Sequence, residues 1–258
     1  QRGGPEHGPE FHTFTRVTFE AGRETSPSLS PDGEFIAYAA RHEGDLDVQD
    51  LIAEEDVVIT VSRDGYVKRQ PIENFRRQGR GGKGIRGANL KEEDVINDVF
   101  TTTTHNWLLF FTSRGKVYRV KVHEVPESGR TARGTYAANL PGVSISGDEK
   151  VQAVIDLKEY SEGRYLLFAT RKGMVKKTAL PEYDSPRTGL AAINLRPGDE
   201  LIDVRLTDGK DDVILVSRKG QEIRFRESLV RPMGRQTAGV IGMRLAADDV
   251  GAGNAGLR

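Results

Sequence analysis

Apolar residues in this chain gather in short β-branched and aromatic runs that stop at a charged, glycine-containing turn, and this unit recurs four times. It reads VVITVSRDGYVKR at 57–69, LLFFTSRGKVYR at 108–119, LLFATRKGMVKK at 166–177 and VILVSRKGQEIR at 213–224. Counted from Gly65, Gly115, Gly173 and Gly220, a hydroxyl stands three places before (Ser62, Thr112, Thr170, Ser217) and a base four places after (Arg69, Arg119, Lys177, Arg224). Two β-rich runs joined through such a turn predict a β-hairpin, because glycine accepts the positive φ that a tight turn needs. A second spacing puts a glycine six residues before a leucine: Gly84/Leu90, Gly134/Leu140, Gly189/Leu195 and Gly239/Leu245. Arg80, Arg130 and Arg235 stand four places before three of those glycines, and Ser185 before the other. Units of about fifty residues with several short strands and no helical period predict an all-β, propeller-type array whose blades bury their faces against one another.

Outside the repeat, residues 1–13 are rich in Gly, Pro, His and Glu and read as a solvated tail, followed by a candidate strand, FTRVTF, at 14–19. In SPSLSPDGEFIAYAARHEGDLDVQDL, at 26–51, Pro31-Asp32-Gly33 makes a turn and FIAYA alternates like a strand. Over about 40 residues this stretch resembles the S-P-D-G repeat of TolB-like propellers, here Ser30-Pro31-Asp32-Gly33. One such unit makes no propeller, so it is expected to supply strands that complete a blade with the run at Val57. Later modules open on an acid and a strand: Asp94-Val95-Ile96, Asp148 to Ile155 and Asp199 to Val204. Asp248-Asp249-Val250 looks like one more opening before GAGNAGLR. The expected organisation is a tail (1–13), a TolB-like blade fragment (14–50), four modules (51–250) and a second tail (251–258), together a hybrid β-propeller or β-pinwheel of about five blades.

A chain of 258 residues with 36% hydrophobic content suits one large all-β domain. No apolar run approaches the roughly 18 residues of a membrane span. Without cysteine there are no disulfides or thiolate metal sites, which suits the cytoplasm. The start, QRGGPEHGPEF, has neither an apolar signal core nor an initiating Met and reads as a fragment, a processed product or an engineered one. Net charge is zero but unevenly divided: residues 1–50 hold 4 Lys/Arg against 10 Asp/Glu, leaving 34 against 28 for residues 51–258. An anionic partner is therefore expected on the repeat modules.

Module one carries the densest chemistry, Asn74-Phe75-Arg76-Arg77-Gln78-Gly79-Arg80-Gly81-Gly82-Lys83-Gly84-Ile85-Arg86-Gly87. Glycine lets backbone N–H groups approach an anion, and Arg and Lys neutralise phosphates and release counterions. The stretch satisfies G-x-G-x-x-G but lacks the strand before and the helix after that a dinucleotide site needs, and Gly84 stands where a phosphate loop requires Ser or Thr. Residues 78–84, Gln-Gly-Arg-Gly-Gly-Lys-Gly, resemble the Q-R-R-G-G-K-G box of the DNA gyrase A family, with Gly79 where Arg is usual. DLIAEEDVVITVSRDGYVKRQP before it and THNWLLFFTSRGKVYRVKVHEVPE after it extend the resemblance over residues 50–250. It implies the C-terminal β-pinwheel of a type II topoisomerase, a ring of about six blades in the family, whose basic rim bends and wraps duplex DNA. The residues expected to meet phosphates are Arg76, Arg77, Gln78, Arg80, Lys83, Arg86 and Arg130 near the boxes. The hairpins and the stretches after them add Lys68, Arg69, Arg119, Lys121, Arg133, Lys176, Lys177 and Arg235. The resemblance also implies the rest of a gyrase assembly, built from two copies each of the A and B proteins, as natural partner; the isolated chain is expected to be monomeric.

No catalytic set emerges. His7, His12, His42, His105 and His123 are scattered without a metal spacing, and Glu54-Glu55, Glu92-Glu93 and Asp211-Asp212 fall at predicted turns. None of the seven tyrosines stands in a DNA-cleaving context. The chain is expected to need no cofactor and to catalyse nothing alone. Phe110, Phe111, Phe168 and Phe225 are expected in the core, and Trp107 and Tyr118 partly exposed. The leading reading is a DNA-wrapping module. The alternatives are a chimeric or designed propeller scaffold with little native function and, more weakly, a TolB-like protein-interaction propeller.

Overall fold

The computed structural model describes residues 23–29, 36–41, 51–75, 94–129, 131–161, 163–246 and 249–257. The chain divides into two units, Gln1–Leu51 and Ile52–Arg258. In the first, β1 (Arg23–Leu29) and β2 (Ile36–Arg41) form an antiparallel two-stranded sheet in register from Arg23↔Arg41 to Leu29↔Ile36. Among the described residues these two strands pair with each other. The candidate strand at 14–19 and the Ser30–Gly33 turn lie outside the described residues.

The second unit is built of hairpins and exchanged strands. Its elements in chain order are β3 (Asp56–Ser62), β4 (Tyr66–Pro71), β5 (Ile96–Thr103), β6 (Trp107–Thr112), β7 (Lys116–Lys121), β8 (Thr135–Tyr136) and β9 (Val151–Leu157). They continue with β10 (Tyr165–Thr170), β11 (Met174–Ala179), β12 (Leu190–Ala191), β13 (Leu201–Thr207), β14 (Asp212–Ser217), β15 (Glu222–Arg226), β16 (Val240–Ile241) and β17 (Gly251–Leu257). Four antiparallel sheets result, ordered β5-β3-β4-β8, β9-β6-β7-β12, β13-β10-β11-β16 and β17-β14-β15. Each of the first three is a hairpin flanked by a long strand on one side and a two-residue strand on the other, both from later in the chain. Residues 251–257, expected as a tail, form the long flanking strand of the fourth blade.

The first sequence signature is a turn device. Gly65, Gly115, Gly173 and Gly220 take φ of 85°, 74°, 77° and 83°. Each glycine N–H donates to the carbonyl of the hydroxyl residue three places before, at 2.9–3.0 Å. The hydroxyl oxygens of Ser62, Thr112, Thr170 and Ser217 accept the N–H four places on, at Tyr66, Lys116, Met174 and Gln221. A buried acid from the next module then seals the turn: Thr112 donates to Glu149 at 2.5 Å and Thr170 to Asp199 at 2.7 Å, while Asp94 and Asp249 accept the Asp64 and Lys219 N–H groups. A hydrogen bond from Ser217 holds the Asp249 carboxyl below the usual carboxylate range.

The apolar runs are continuous because both faces are covered. From β6, Leu108 and Phe110 pack with Val57, Ile59 and Val61, whereas Leu109 and Phe111 pack with Leu166 and Phe168 of β10. The Phe111 and Phe168 rings meet edge-on with centroids 5.6 Å apart, a favoured aromatic geometry. Leu167 and Ala169 turn the other way, onto Val213 and Leu215. The core thus lies between successive blades, with β13 packed against both β9 and β17.

Candidate nucleic-acid interface

Arg76, Arg77, Gln78, Arg80, Lys83, Arg86 and Arg130 lie outside the described residues. The structure separates the other expected cations into an internal and a surface group.

Lys68, Lys176 and Lys177 are internal, which corrects their expected place on an outer rim: they are 1%, 0% and 4% exposed. Lys68 Nζ donates to Ala132 O at 3.1 Å, and burial lowers its pKa. Lys176 Nζ donates to Ala192 O at 2.6 Å and to Arg235 O, so it ties together the segments that follow two successive hairpins. Burial pulls its pKa down to about 7, with Glu182 opposing the shift and Arg235 adding to it. Lys177 Nζ donates to Glu227 O at 3.2 Å and lies 3.7 Å from Glu227 Oε1. The carboxylates of Asp208, Asp211 and Glu227 lie together there. Glu227 is already engaged by the Thr207 hydroxyl and the Gly209 N–H.

The surface group is partly exposed. Arg69 Nε donates to Val125 O at 3.0 Å. Arg119 and Lys121 flank the one tryptophan, their charged ends 4.4 and 4.1 Å from the Trp107 ring, and Arg119 also pairs with Asp184 at 3.2 Å. Arg133 lies 3.5 Å over Tyr66 and 3.8 Å from Asp64. Arg235 attaches to the preceding blade through its N–H to Glu182 Oε2 (2.9 Å) and Nη1 to Glu182 O (3.1 Å). Stacking over aromatic rings holds Arg119, Lys121 and Arg133 in place. Trp107 is half-buried as expected, whereas Tyr118 is buried and its hydroxyl donates to Ser144 O at 2.6 Å. Phe110, Phe111 and Phe168 are core residues, and Phe225 is half-buried.

Other cations went unread in the sequence. Arg171, Lys172, Arg196 and Arg244 line a cleft of about 730 Å³ beside Met174, Met243 and Leu245. Arg171 pairs with Glu200 at 3.2 Å and Lys172 Nζ donates to Pro197 O at 2.7 Å. The signal was present: two mostly charged residues precede every hairpin glycine, and here both are basic. Of the acids expected in loops, Asp211 is buried and its carbonyl accepts the Glu227 N–H. Glu92-Glu93 lies outside the described residues.

Comparison with known proteins follows the same modular division. The family described as DNA gyrase C-terminal domain, beta-propeller, matches residues 56–103, 106–158, 164–208 and 211–250, one segment per repeat. The DNA gyrase A protein of Streptomyces coelicolor is 50% identical over 216 residues, which is 81% of this chain and 25% of that protein. The gyrase A protein of Mycolicibacterium smegmatis is 49% identical over 210 residues, 80% of this chain and 25% of that one. This chain therefore spans about a quarter of the length of these relatives. Among solved structures, the C-terminal domain of DNA topoisomerase IV superposes with a TM-score of 0.69 at 34% identity, covering 80% of this chain and 62% of that one. A DNA gyrase A C-terminal domain gives 0.62 at 24% identity, covering 79% and 66%, and shares the fold. With four repeats matched in order and half the residues identical to a gyrase A protein over most of its length, the chain belongs to the DNA gyrase C-terminal domain, beta-propeller family.

Proposed function

We propose that this chain is a DNA-binding and DNA-wrapping module without catalytic activity of its own, which holds duplex DNA by its phosphates. The observation that carries this reading is the recurrence of half-exposed bases on successive blades, with Arg69 and Arg119 at equivalent positions and Lys121 joining Arg119 beside Trp107. A succession of cations along a blade array suits bent duplex read through its backbone rather than its bases. The basic glycine-rich stretch at 76–87 extends that chemistry. In a complete protein the module would serve the rest of a gyrase assembly in the cytoplasm.

The competing reading, a propeller scaffold with little function, draws on the acidic first fifty residues and on Gly79 in the box. Fluorescence anisotropy with a labelled duplex across a salt series decides between them. If about six phosphates are contacted, affinity falls about 1,000-fold between 50 and 200 mM salt, and replacing Arg80, Lys83 and Arg86 together by Ala reduces the slope of log affinity against log salt by roughly 3. Absence of binding at low salt would overturn the DNA reading and leave the scaffold.

A further inference from the structure

Three clefts of similar size lie beside hairpin turns in the second unit. The first, of about 700 Å³, is lined by Arg63, Arg133 and Lys150 together with Asp64, Asp148 and Glu149. The second, of about 690 Å³, has Arg114, Lys150 and Arg171 with Asp148, Asp199 and Glu200, and its Arg114–Asp148 and Arg171–Glu200 pairs are already formed. Three bases against three acids leave both near neutrality. The third, the cleft of about 730 Å³ beside the β10–β11 turn, has Arg171, Lys172, Arg196 and Arg244 with Asp249 as its one acid. Asp249 is buried, and its Oδ1 accepts the Lys219 and Val250 N–H groups at 3.2 and 2.8 Å. Even with Asp248, which lies outside the described residues, four bases would face two acids.

The four bases come from three segments. Arg171 and Lys172 stand in the turn after β10, Arg196 follows β12 and Arg244 follows β16. Arg171 is committed to Glu200, whereas Lys172 Nζ donates to the neutral Pro197 O at 2.7 Å and keeps its charge. Arg196 and Arg244 are exposed, and among the described residues neither side chain has a hydrogen bond or an ion pair. The same cleft carries apolar surface: Ile241 is 57% exposed and Leu245 half-buried, beside Met243. That floor is built into the fold. The Gly242 and Met243 N–H groups donate to Gly173 O at 2.9 and 3.0 Å, and a Cβ at Gly173 would stand 3.3 Å from Leu245 Cδ1. Trp107 and Lys121 pair across the open end of their hairpin, while Arg171 and Lys172 occupy the closed end of the next, so this cleft uses a different part of the hairpin from the Trp107 cations.

We infer that this cleft binds a nucleoside polyphosphate, with Lys172, Arg196 and Arg244 on the phosphates and Ile241, Met243 and Leu245 against the base. A guanidinium without a protein partner can take two phosphate oxygens through parallel N–H bonds, and several cations in one recess concentrate the field that draws a polyanion in. Three bases on separate segments match a chain of phosphates better than a single small anion. The recess has the volume of sites that hold ligands of this size, and a methionine thioether packs favourably on an aromatic ring. Duplex DNA fits less well: its bases are stacked inside, so the phosphates and sugars it presents would leave Ile241 and Leu245 uncovered. The site is independent of the DNA reading.

The test is calorimetric titration of the full chain, without divalent cations, with adenosine triphosphate, inorganic triphosphate and adenosine in turn. Saturable binding of the nucleotide is expected, with each of its two fragments at least tenfold weaker. Arg196→Ala combined with Arg244→Ala should weaken nucleotide binding at least tenfold and leave the far-UV circular dichroism and the salt slope of duplex binding unchanged, since both side chains are exposed. Arg119→Ala combined with Lys121→Ala should leave nucleotide binding as it is. Because the three probes are compared on the unaltered chain, the conclusion survives a variant that fails to fold. No nucleotide binding at millimolar concentration, or inorganic triphosphate bound as tightly as the nucleotide, would overturn the inference. So would a reduced duplex salt slope in the Arg196/Arg244 variant with nucleotide affinity unaltered, because the cleft would then belong to the path of the DNA.

Discussion

Thr170→Val tests the turn device with a change of almost no volume. Thr170 is buried, donates its hydroxyl hydrogen to Asp199 Oδ2 at 2.7 Å and accepts the Met174 N–H at 3.1 Å. Asp199 is buried too, and its other oxygen takes the Lys172 and Glu200 N–H groups, both at 2.9 Å. Valine keeps the branched shape but removes both bonds. Loss of a hydrogen bond to a charged group contributes about 1.5–3 kcal/mol, and the stranded Met174 N–H about 1 kcal/mol more, so the expected destabilisation is roughly 3 kcal/mol. With a urea m-value of about 2 kcal/mol/M, the midpoint falls by about 1.5 M. The assay is urea unfolding followed by Trp107 fluorescence and far-UV circular dichroism, whose transitions must coincide for that conversion to hold. Thr170→Ser keeps the hydroxyl that two other modules use at this position and should restore most of the loss. Asp148→Asn, which breaks the exposed Arg114–Asp148 pair, should leave the midpoint where it is. A Thr170→Val midpoint within about 0.3 M of the parent would refute the claim that the hydroxyl–carboxylate pair holds the blade together, since that shift corresponds to only about 0.6 kcal/mol.

Gly134→Ala places a methyl 2.6 Å from Val67 O in a left-handed backbone, and the protein should lose more than about 2 kcal/mol in the same assay. Gly220→Ala, with similar φ but open space, should cost only the conformational share, about 1–2 kcal/mol. Lys176 has a folded-state pKa of about 7 against 10.5 in the unfolded chain, so between those values the unfolded chain binds more protons. Stability should therefore fall as pH drops from 10 toward 7 and the difference in bound protons opposes folding, by at most about 1.4 kcal/mol per pH unit, and Lys176→Met should flatten that trend in urea midpoints measured across pH. Arg119→Ala combined with Lys121→Ala should lower the salt slope of duplex binding by about 2, whereas Lys176→Met should leave it unchanged.

How much of this was legible in the sequence depends on the distance over which each constraint acts. The hairpins were readable because a glycine turn and its hydroxyl are local, and the three-residue spacing is the reach of the bond that closes the turn. The exchanged strands β8, β12 and β16 were visible only as a glycine-to-leucine spacing. A two-residue strand has no alternation to detect, and its partner belongs to another module. The lysines misled for a reason inside the repeat. The third place after the hairpin glycine holds Lys68, Tyr118 and Lys176, all buried, so in three hairpins this slot takes a long apolar stem, while Ile223 at the same place in the fourth is exposed. At the fourth place Arg69, Arg119 and Arg224 stay at least partly exposed, while Glu227 encloses Lys177 in the interior. Basic residues in this repeat therefore do two jobs that composition cannot separate. Lysines whose ammonium finds backbone carbonyls of neighbouring modules fasten the array, as Lys68 and Lys176 do. Arginines stacked on rings, as at Trp107 and Tyr66, keep their charge at the surface. Arg119→Lys should therefore preserve the charge yet weaken duplex binding in the anisotropy titration, because an ammonium is more strongly hydrated and lacks the flat face that lies on Trp107.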